Sequence, residues 1–268
     1  MPSFERCRGG SRGRHSVSTV AEVTDAVELR AVHVVAADGT RVLHGVDLAV
    51  APGECVALIG RSGAGKSTTL RLVNGLVVPT SGEVIVEGKP LGSHDLVALR
   101  RRIGYVIQQV GLLPHLDVAA NVGIVPRLLG WPADRISRRV DEVLTLVGLD
   151  PARFRLRQPR ALSGGEQQRV GVARALAAEP SIVLMDEPFG ALDPLLRVDL
   201  QRDVAALRRR LGTTVLLVTH DVREALLLAD RLVLVDEGRV AFVGDGAALR
   251  ASRLPLARAY AALAEGAS

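Results

Sequence analysis

The sequence predicts an α/β fold into which a helical segment is inserted. From Val27 onward, apolar segments of strand length alternate with helical segments, and several strands are apolar at every position. Continuously apolar strands are typical of a parallel sheet that is covered on both faces. No strand pattern appears from Leu112 to Gly165, where helical segments such as Asp134 to Gly148 predominate. We therefore expect one domain over residues 27–246 with a helical subdomain over about 112–165.

The predicted strands are short apolar segments separated by turn residues. In chain order they are Val27 to Val35, Leu43 to Val50, Cys55 to Ile59, Glu83 to Glu87, Ile103 to Ile107, Ile182 to Met185, Thr214 to Val218, Leu232 to Val235 and Val240 to Val243. Further helices are predicted at Lys66 to Val73, Glu166 to Ala178 and Gly246 to Ala264, the last in a helical tail over 247–268. Residues 1–26 are rich in Arg, Ser and Gly, which favours either a disordered extension or a misassigned start site.

Composition excludes several classes of protein. Hydrophobic residues make up 48% of the 268, yet no apolar stretch reaches the roughly 18 to 20 residues that span a membrane. The N-terminus lacks the apolar segment of a signal peptide, so we expect a soluble chain that is not exported. Cys7 and Cys55 fall in the extension and in a predicted buried strand, which favours neither a disulfide nor a metal site.

The charge pattern argues against a nucleic-acid partner. The net charge is +5, but basic residues are interspersed with acidic ones and aromatic residues make up only 3% of the chain. Of the 34 basic residues, two are lysine, Lys66 and Lys89. Because arginine supplies nearly all the positive charge, a lysine in this sequence is informative.

A phosphate-binding loop follows the third predicted strand. It matches the pattern G-x-x-x-x-G-K-[ST], and we define as the P-loop the residues Gly60, Arg61, Ser62, Gly63, Ala64, Gly65, Lys66, Ser67 and Thr68. Its glycines allow backbone amides to close around a β-phosphate. Lys66 supplies a charge to the β- and γ-phosphates, and the Ser67 hydroxyl is a ligand for Mg²⁺. The strand before the loop and the helix after it are the context that this motif requires.

Three other predicted strands end in polar side chains. Asp186 and Glu187 follow SIVLM, Gln108 follows IGYVI, and His220 follows TTVLLVT. The carboxyl ends of parallel strands open into the crevice where ligands bind, so we expect these side chains beside the P-loop. Taken singly, each also fits a solvated strand end.

Each of these side chains has a predicted role beside a bound triphosphate. Asp186 is predicted to hold Mg²⁺ through water, and Glu187 to act as general base toward the attacking water. His220 is expected to reach the γ-phosphate. Gln108 is expected to contact Mg²⁺ or its water and to act as a sensor, because an uncharged amide bonds both to a metal and to a moving backbone.

A second turn has the features of an anion site. Ser163, Gly164 and Gly165 precede a predicted helix, and the free backbone amides at a helix N-terminus bind anions. The turn contains no lysine, although a P-loop with a lysine occurs earlier in the chain. It is therefore an incomplete site, which favours a dimer in which a second molecule supplies the anion.

The order of these motifs resembles the ATP-binding-cassette ATPases from Val27 to Val243. The resemblance is carried by the P-loop, Gln108, LSGGE at Leu162 to Glu166, LMDEP at Leu184 to Pro188, ALD at Ala191 to Asp193, and His220. It implies a P-loop NTPase fold of this type with an antiparallel β part, ATP as the nucleotide and Mg²⁺ as the metal.

The resemblance also implies a head-to-tail dimer of two cassettes. The signature turn, Ser163, Gly164, Gly165 and Glu166, is then expected to close over the ATP held by Lys66 of the other subunit. That arrangement explains a phosphate site without a lysine. Asp193 is expected at the dimer seam, where it couples the two sites.

The sequence departs from the family pattern in two places. Glu166 stands where the commonest form of the signature turn has Gln. The family usually stacks adenine on an aromatic residue between the first two strands, but Val34 to Thr40 contains none. Ala36 or Ala37 takes that place, with Val35 beside it, so apolar contact is expected to replace ring stacking.

Two classes of function fit the resemblance: the motor subunit of a membrane transporter, and a soluble cassette ATPase of DNA repair, chromosome organisation or translation. Soluble members generally carry coiled-coil arms, zinc modules or two cassettes in one chain. This sequence has one cassette without heptads or cysteine clusters, which favours the transporter.

The segment from Arg100 to Trp131 is most similar to importers of osmoprotectant quaternary amines such as glycine betaine, choline and carnitine. Gln108, Gln109 and the sequence VPRLLGW carry that similarity. An importer of amino acids or another small solute is the alternative. The resemblance implies a second cassette subunit, expected to form a homodimer, together with integral-membrane permease subunits and, through them, an extracytoplasmic substrate-binding protein. It places the chain at the cytoplasmic face of the membrane.

An apolar cluster follows Gln108. Leu112, Leu113, Pro114 and Leu116 lie on a connecting stretch between the predicted strand and the helical segment. The cluster either packs beneath the helical subdomain or forms a groove for a cytoplasmic helix of a partner, and the sequence leaves both interpretations open.

Overall fold

The computed structural model describes residues 24–109, 111–190 and 193–265, without the side chains at 194–196, 207 and 209–211. Its strands are β1 Val27–Val35, β2 Arg41–Val50, β3 Cys55–Ile59, β4 Ser81–Val86, β5 Lys89–Pro90, β6 Ile103–Val106, β7 Ile182–Asp186, β8 Thr214–Val218, β9 Arg231–Asp236 and β10 Arg239–Gly244. The predicted bounds of β1, β3 and β8 are confirmed, and those of the other predicted strands move by one or two residues. The short strand β5 was not predicted, because two residues ending in proline carry no periodic pattern.

The strands form two sheets. Four of them pair antiparallel in the order β2-β1-β4-β5, and six form a second sheet in the order β10-β9-β3-β8-β7-β6. In the larger sheet all neighbours are parallel except β10 and β9. The predicted α/β fold with an antiparallel part is therefore confirmed.

The side chains of the larger sheet alternate between two hydrophobic clusters. Along β3, Val56 and Leu58 join a cluster shared with the antiparallel sheet, whereas Cys55, Ala57 and Ile59 join one that includes the helices of the other face. Burial on both faces accounts for the continuously apolar sequence of β3, β7 and β8.

The helices are α1 Lys66–Val73, α2 Leu96–Arg102, α3 Val118–Val122, α4 Ile124–Leu128, α5 Ala133–Leu146, α6 Pro151–Phe154, α7 Gly164–Leu176, α8 Pro194–Leu211, α9 Val222–Leu228, α10 Gly246–Ala251 and α11 Pro255–Glu265, with short 3₁₀ helices at Leu91–Ser93 and Pro159–Ala161. The described residues from 111 to 163 form helices and turns and no strand. The extents of the domain and of the helical subdomain remain predictions.

Two predicted boundaries are wrong, and the helices predicted at Glu166 to Ala178 and Asp134 to Gly148 shift by one or two residues to Gly164–Leu176 and Ala133–Leu146. The helix predicted from Gly246 to Ala264 is two helices, because Ser252 has extended backbone and a residue before Pro255 is disfavoured in a helix. The extension predicted for residues 1–26 ends too late, since Ala26 is buried and its amide donates to the carbonyl of Val50. Residues 1–23, including Cys7, lie outside the described residues.

Two predictions from composition concern the Cys55 thiol and membrane-spanning helices. Cys55 is a free, buried thiol, and burial raises its pKa to about 12. At that pKa the thiol stays protonated at neutral pH, so it is a poor metal ligand. Within the described residues, no helix combines the length and apolarity needed to span a membrane.

Candidate nucleotide site

The P-loop connects β3 to α1 at the carboxyl edge of the larger sheet. Gly60 has φ 148° and Gly65 has φ 99°, conformations that favour glycine. A Cβ at Gly60 would overlap the carbonyl oxygen of Val235, and one at Gly65 would overlap the side chain of Leu43. The loop is therefore packed against β2 and β9 so closely that only glycine fits at its two ends.

Lys66 lies folded into the P-loop. Its side chain is 7% exposed, and its Nζ donates to the carbonyls of Gly60 at 2.8 Å and Arg61 at 2.7 Å. Burial lowers the pKa of the ammonium, and the carboxylates of Glu187 and Asp186 act against that change. A positive charge is thus held among carbonyl oxygens at the place where the motif requires it.

Ser67 in the first turn of α1 contacts Asp186 at the end of β7. The Ser67 hydroxyl donates to Oδ1 of Asp186 at 2.9 Å. Asp186 ends β7 and is 2% exposed. Burial raises the pKa of its carboxyl, whereas the bond from Ser67 and the charges of Arg71 and Lys66 oppose the rise. A hydroxyl and a carboxylate in contact form the pair of oxygen ligands that Mg²⁺ takes in such sites.

Glu187 lies at the centre of the predicted strand-end residues. One of its carboxylate oxygens accepts a hydrogen bond from Nε2 of Gln108 at 3.0 Å. The other lies 3.6 Å from Nδ1 of His220, whose side chain is 67% exposed. Residues from the ends of β6, β7 and β8 therefore converge, as the parallel order of these strands requires.

The backbone of Glu187 is strained. Its φ is 48°, and its amide donates to the carbonyl of Val218 at 2.9 Å. A non-glycine residue keeps this conformation only where its surroundings hold it, and such residues cluster at functional sites. Four other described non-glycine residues also have positive φ, so this conformation agrees with a functional role for Glu187 but does not single it out.

The signature turn is an exposed helix start. Ser163 caps α7, its hydroxyl accepting from the amide of Glu166 at 3.2 Å. The Glu166 carboxylate in turn accepts from the amide of Ser163 at 2.8 Å. Gly164 has open space around it, since no atom lies within 4 Å of a Cβ placed there. In the described chain no hydrogen bond joins this turn to the P-loop.

Sequence reasoning missed a glutamine that links the signature helix to the catalytic edge. Nε2 of Gln168, which is buried on α7, donates to the carbonyl of Pro188 at 2.8 Å. Pro188 directly follows Glu187, so α7 is anchored to the strand end that carries the candidate base. Gln168 is one of three consecutive polar residues, EQQ, and the sequence does not indicate which of them makes this contact.

Two residues of the apolar cluster after Gln108 fit different interpretations, one core packing and the other a groove. Leu112 packs against the core, but Leu113 lines a groove of about 310 Å³ together with Tyr105, Ile124 and Val125. We call this the Leu113 groove. Its remaining lining residues include Arg100, Arg101 and Arg174.

A buried asparagine holds the segment that carries Leu113. Oδ1 of Asn121 accepts from the amide of Leu113 at 2.8 Å, and its Nδ2 donates to the carbonyls of Leu113, Leu116 and Asp117. The sequence did not indicate this side chain, because its role depends on the fold of the turn. Leu113 is consequently presented at the groove by a fixed backbone.

The remaining predicted residues lie at the margins of the site. Ala36 and Ala37 are exposed in the turn between β1 and β2, and Val35 is 41% exposed. The turn thus offers small apolar side chains and no ring. Asp193 is exposed, and its carbonyl accepts from the amide of Arg197 at 2.8 Å. Ala191 and Leu192 lie outside the described residues.

The residues present fit MgATP. The P-loop amides at the start of α1 have no side-chain cap, Lys66 supplies a cation, and Ser67 with Asp186 supplies oxygen ligands. A cavity of about 790 Å³ lies at the opposite edge, at the amino ends of β7 and β8, and contains none of these residues. Ligands of such sheets bind at the carboxyl ends of the strands, so we assign the nucleotide to the P-loop edge.

Comparison with known proteins agrees with this geometry. Residues 43–190 match the ABC transporter family. The chain is 48% identical over 206 residues to the glycine betaine/carnitine/choline transport ATP-binding protein OpuCA of Bacillus subtilis (strain 168), which covers 77% of this chain and 54% of that protein. It is 50% identical over 205 residues to the glycine betaine uptake system ATP-binding protein YehX of Escherichia coli (strain K12), covering 76% and 66%. It thus spans about half the length of the former and two thirds of the latter.

A solved structure shares the fold. The dimeric structure of a post-hydrolysis state of the ATP-binding cassette MJ0796 bound to ADP and Pi superposes with a TM-score of 0.76 at 34% identity, covering 82% of this chain and 98% of that one. The resemblance in motif order is confirmed by sequence and by fold: the chain belongs to the ABC transporter family and has the fold of its ATP-binding cassette.

Proposed function

We propose that the chain is the ATP-hydrolysing motor subunit of an importer. The observation that carries this proposal is the Glu187 carboxylate, held between Gln108 and His220 at the edge where Lys66, Ser67 and Asp186 also meet. A carboxylate so placed is suited to remove a proton from water that attacks a γ-phosphate. The two relatives of the chain named above are ATP-binding proteins of transport systems, which supports the same function.

Hydrolysis assigns a role to each of these side chains. A water oxygen attacks the γ-phosphorus while its proton passes to Glu187, and the bond between the γ-phosphorus and the bridging oxygen breaks to leave ADP and phosphate. Lys66 and His220 donate to the phosphate oxygens, which gain charge as that bond breaks. Ser67, Asp186 and Gln108 would hold Mg²⁺, and the ion would neutralise phosphate charge when it is bound.

A second cassette completes each site in this proposal. Ser163, Gly164 and Gly165 contact the γ-phosphate bound by the other subunit, and Asp193 lies at the seam between the subunits. The exposed signature turn and its separation from the P-loop within one chain support this arrangement. The related cassette MJ0796 forms dimers. A homodimer is the simplest assembly, since one chain carries both halves of the site.

The Leu113 groove is the proposed contact with the permease. Gln108 bonds to the candidate base, and the chain leads from it within five residues to Leu113. A change at the γ-phosphate therefore has a short covalent route to the groove. Apolar side chains rimmed by arginines suit an amphipathic cytoplasmic helix of an integral-membrane partner. With this contact, the proposed location of the chain is the cytoplasmic face of the membrane.

A quaternary-amine osmoprotectant is the proposed cargo. One relative named above is a glycine betaine/carnitine/choline transport ATP-binding protein, and the other belongs to a glycine betaine uptake system. The cargo itself passes through the permease, supplied by an extracytoplasmic binding protein. An importer of another small solute is the alternative, because a motor that does not touch its cargo carries no side chain to specify it.

Uptake by intact cells tests this function. Deletion of the chain should abolish uptake of radiolabelled glycine betaine, choline or carnitine under hyperosmotic stress, in a strain without other importers of these solutes. The parent chain should restore uptake, and Leu113→Asp should not, because a charge in the groove prevents docking of an apolar helix. Leu263→Asp, on an exposed position of α11, is the matched control and should restore uptake fully.

The same variants separate the parts of the proposal. Purified Leu113→Asp should hydrolyse ATP at nearly the parent rate, because Leu113 does not contact the nucleotide residues. Unchanged uptake of all three amines after deletion would rule out this cargo class and leave the ATPase standing. Full uptake with Leu113→Asp would rule out the groove as the permease contact.

A further inference from the structure

A buried carboxyl that hydrolysis does not use lies beside His220. Glu224 is on α9, is 6% exposed and has one oxygen, Oε1, that is buried without a hydrogen-bond partner among the described residues. Its Oε2 accepts from the hydroxyl of Thr219 at 2.7 Å. Burial raises the pKa of this carboxyl to about 7, a change that the Thr219 bond and the charge of Arg197 oppose and the charges of Asp221 and Glu187 increase.

The partner of Glu224 holds the backbone on both sides of His220. While its hydroxyl donates to Glu224, the Thr219 oxygen accepts from the amide of Asp221 at 3.0 Å. Thr219 is 1% exposed, with its amide donating to the carbonyl of Leu58 in the adjacent strand. The residues before and after His220 are thus joined through one hydroxyl, and Glu224 fixes the direction in which that hydroxyl points.

A second contact fixes the same turn from the other side. Oδ1 of Asp221 caps α9 by accepting from the amides of Arg223 and Glu224, and its Oδ2 lies 3.7 Å from Nη1 of Arg197. Arg197 also donates to the carbonyl of Gly190 at 3.5 Å. The turn is therefore held between α9 and the segment that follows Glu187, and His220 has little freedom of backbone movement relative to Glu187.

We infer that Glu224 is a positioning residue for the hydrolysis reaction: it orients Thr219, and through Thr219 it holds His220 against Glu187. The inference rests on the proposed ATPase function. Glu224 makes no described hydrogen bond to the P-loop or to His220, and the hydrogen bond of its carboxyl to Thr219 is the route that we propose for its effect on catalysis. Removing the acceptor should therefore lower the rate of the chemical step and leave nucleotide binding by the P-loop unchanged.

Paired substitutions test this inference. Thr219→Val keeps the shape of the side chain and removes the hydroxyl, and Glu224→Met removes the acceptor at similar volume; each should lower kcat about tenfold, as expected for a lost buried hydrogen bond. KM for ATP should stay within twofold of the parent value. Thr219→Ser and Glu224→Gln retain a donor and an acceptor, respectively, and should restore most of kcat. Glu142→Met, an exposed glutamate on α5, is the control and should leave kcat unchanged.

The His220→Ala background separates positioning from general stability. If Glu224 acts through His220, Glu224→Met should cause no further loss of kcat when His220 is already absent. A purely structural role predicts the same tenfold loss in both backgrounds, and that result would overturn the inference. Full kcat with Thr219→Val would also overturn it, and this variant decides the matter if Glu224→Met does not fold. A parent chain without ATPase activity would instead refute the proposed function.

Discussion

The P-loop and the signature turn are both predicted to bind phosphate, but they are built in opposite ways. The P-loop is packed into the sheet, with its glycines against β2 and β9 and its lysine nearly buried. The signature turn is exposed, carries no cation, and is held by its own Glu166. One turn is complete within a single chain, whereas the other presents amides to solvent at the start of α7. This difference supports the proposal that the second turn is one half of a site whose other half belongs to another molecule.

The charges of the two turns differ as well. In the P-loop, an ammonium whose pKa is lowered by burial lies close to two carboxylates. In the signature turn, the bond from the Ser163 amide lowers the pKa of Glu166, so that carboxyl is negative at neutral pH. A carboxylate at this position stabilises the helix start but repels an incoming phosphate. If the signature turn binds phosphate as proposed, Glu166 stabilises the helix at some expense of phosphate affinity.

The largest expected effect concerns the complete half of the site. Glu187→Gln should lower ATP hydrolysis by about 10² to 10⁴-fold, because the amide cannot accept the proton of the attacking water. ATP affinity should be retained, since Lys66 and the P-loop amides are unchanged. Steady-state turnover and nucleotide titration measure the two effects, with Glu179→Gln, on an exposed turn, as the control. Near-normal turnover would show that Glu187 is not the base.

A smaller effect is expected at the incomplete half. Glu166→Gln keeps the capping interaction with Ser163 and removes the negative charge, so ATP-dependent dimerisation should strengthen a few-fold. The same change should cost about 0.3 to 1 kcal/mol of folding stability, the usual contribution of a carboxylate to a helix N-terminus. Analytical ultracentrifugation with a slowly hydrolysed ATP analogue and thermal unfolding measure these two effects. Weaker dimerisation in this variant would contradict the account of the charge.

The stability that Glu166 contributes also has a defined pH dependence. Its folded pKa is lowered, so the contribution is fully present above the unfolded pKa and is lost as the pH falls through the folded pKa. Glu166→Gln should lack this acid-dependent component. Melting temperatures of both proteins across acidic pH therefore provide an internal check on the capping role.

The sequence predicted the P-loop and the strand-end residues better than the contacts that hold them in place. Continuous apolar strands and the P-loop spacing depend on local pattern, and the structure has both where they were expected. Strand-end residues were expected to meet because parallel strands share an edge, and Glu187 does lie beside Gln108 and His220. The roles of these residues remain predictions.

The contacts that hold the site depend on tertiary packing and have no sequence period. Gln168 reaches Pro188, Asn121 holds the Leu113 segment, and Glu224 holds Thr219. Each pairs a buried polar side chain with a group that only the folded chain brings near. The break between α10 and α11 is a different case, because Pro255 marks it in the sequence itself.

Mixed dimers test most directly whether the two halves of each site come from different subunits. One dimer combines a Ser163→Arg chain with a Lys66→Ala chain, and the control combines a chain bearing both changes with an unmodified chain. If the site forms between subunits, the first dimer has both lesions at one composite site and keeps the other site intact, whereas the control has a lesion in each. We therefore expect the first dimer to hold one ATP between its subunits with parent affinity, and the control to hold none between its subunits. The reverse result, one intact site in the control and none in the first dimer, would show that each chain uses its own signature turn and would contradict the account.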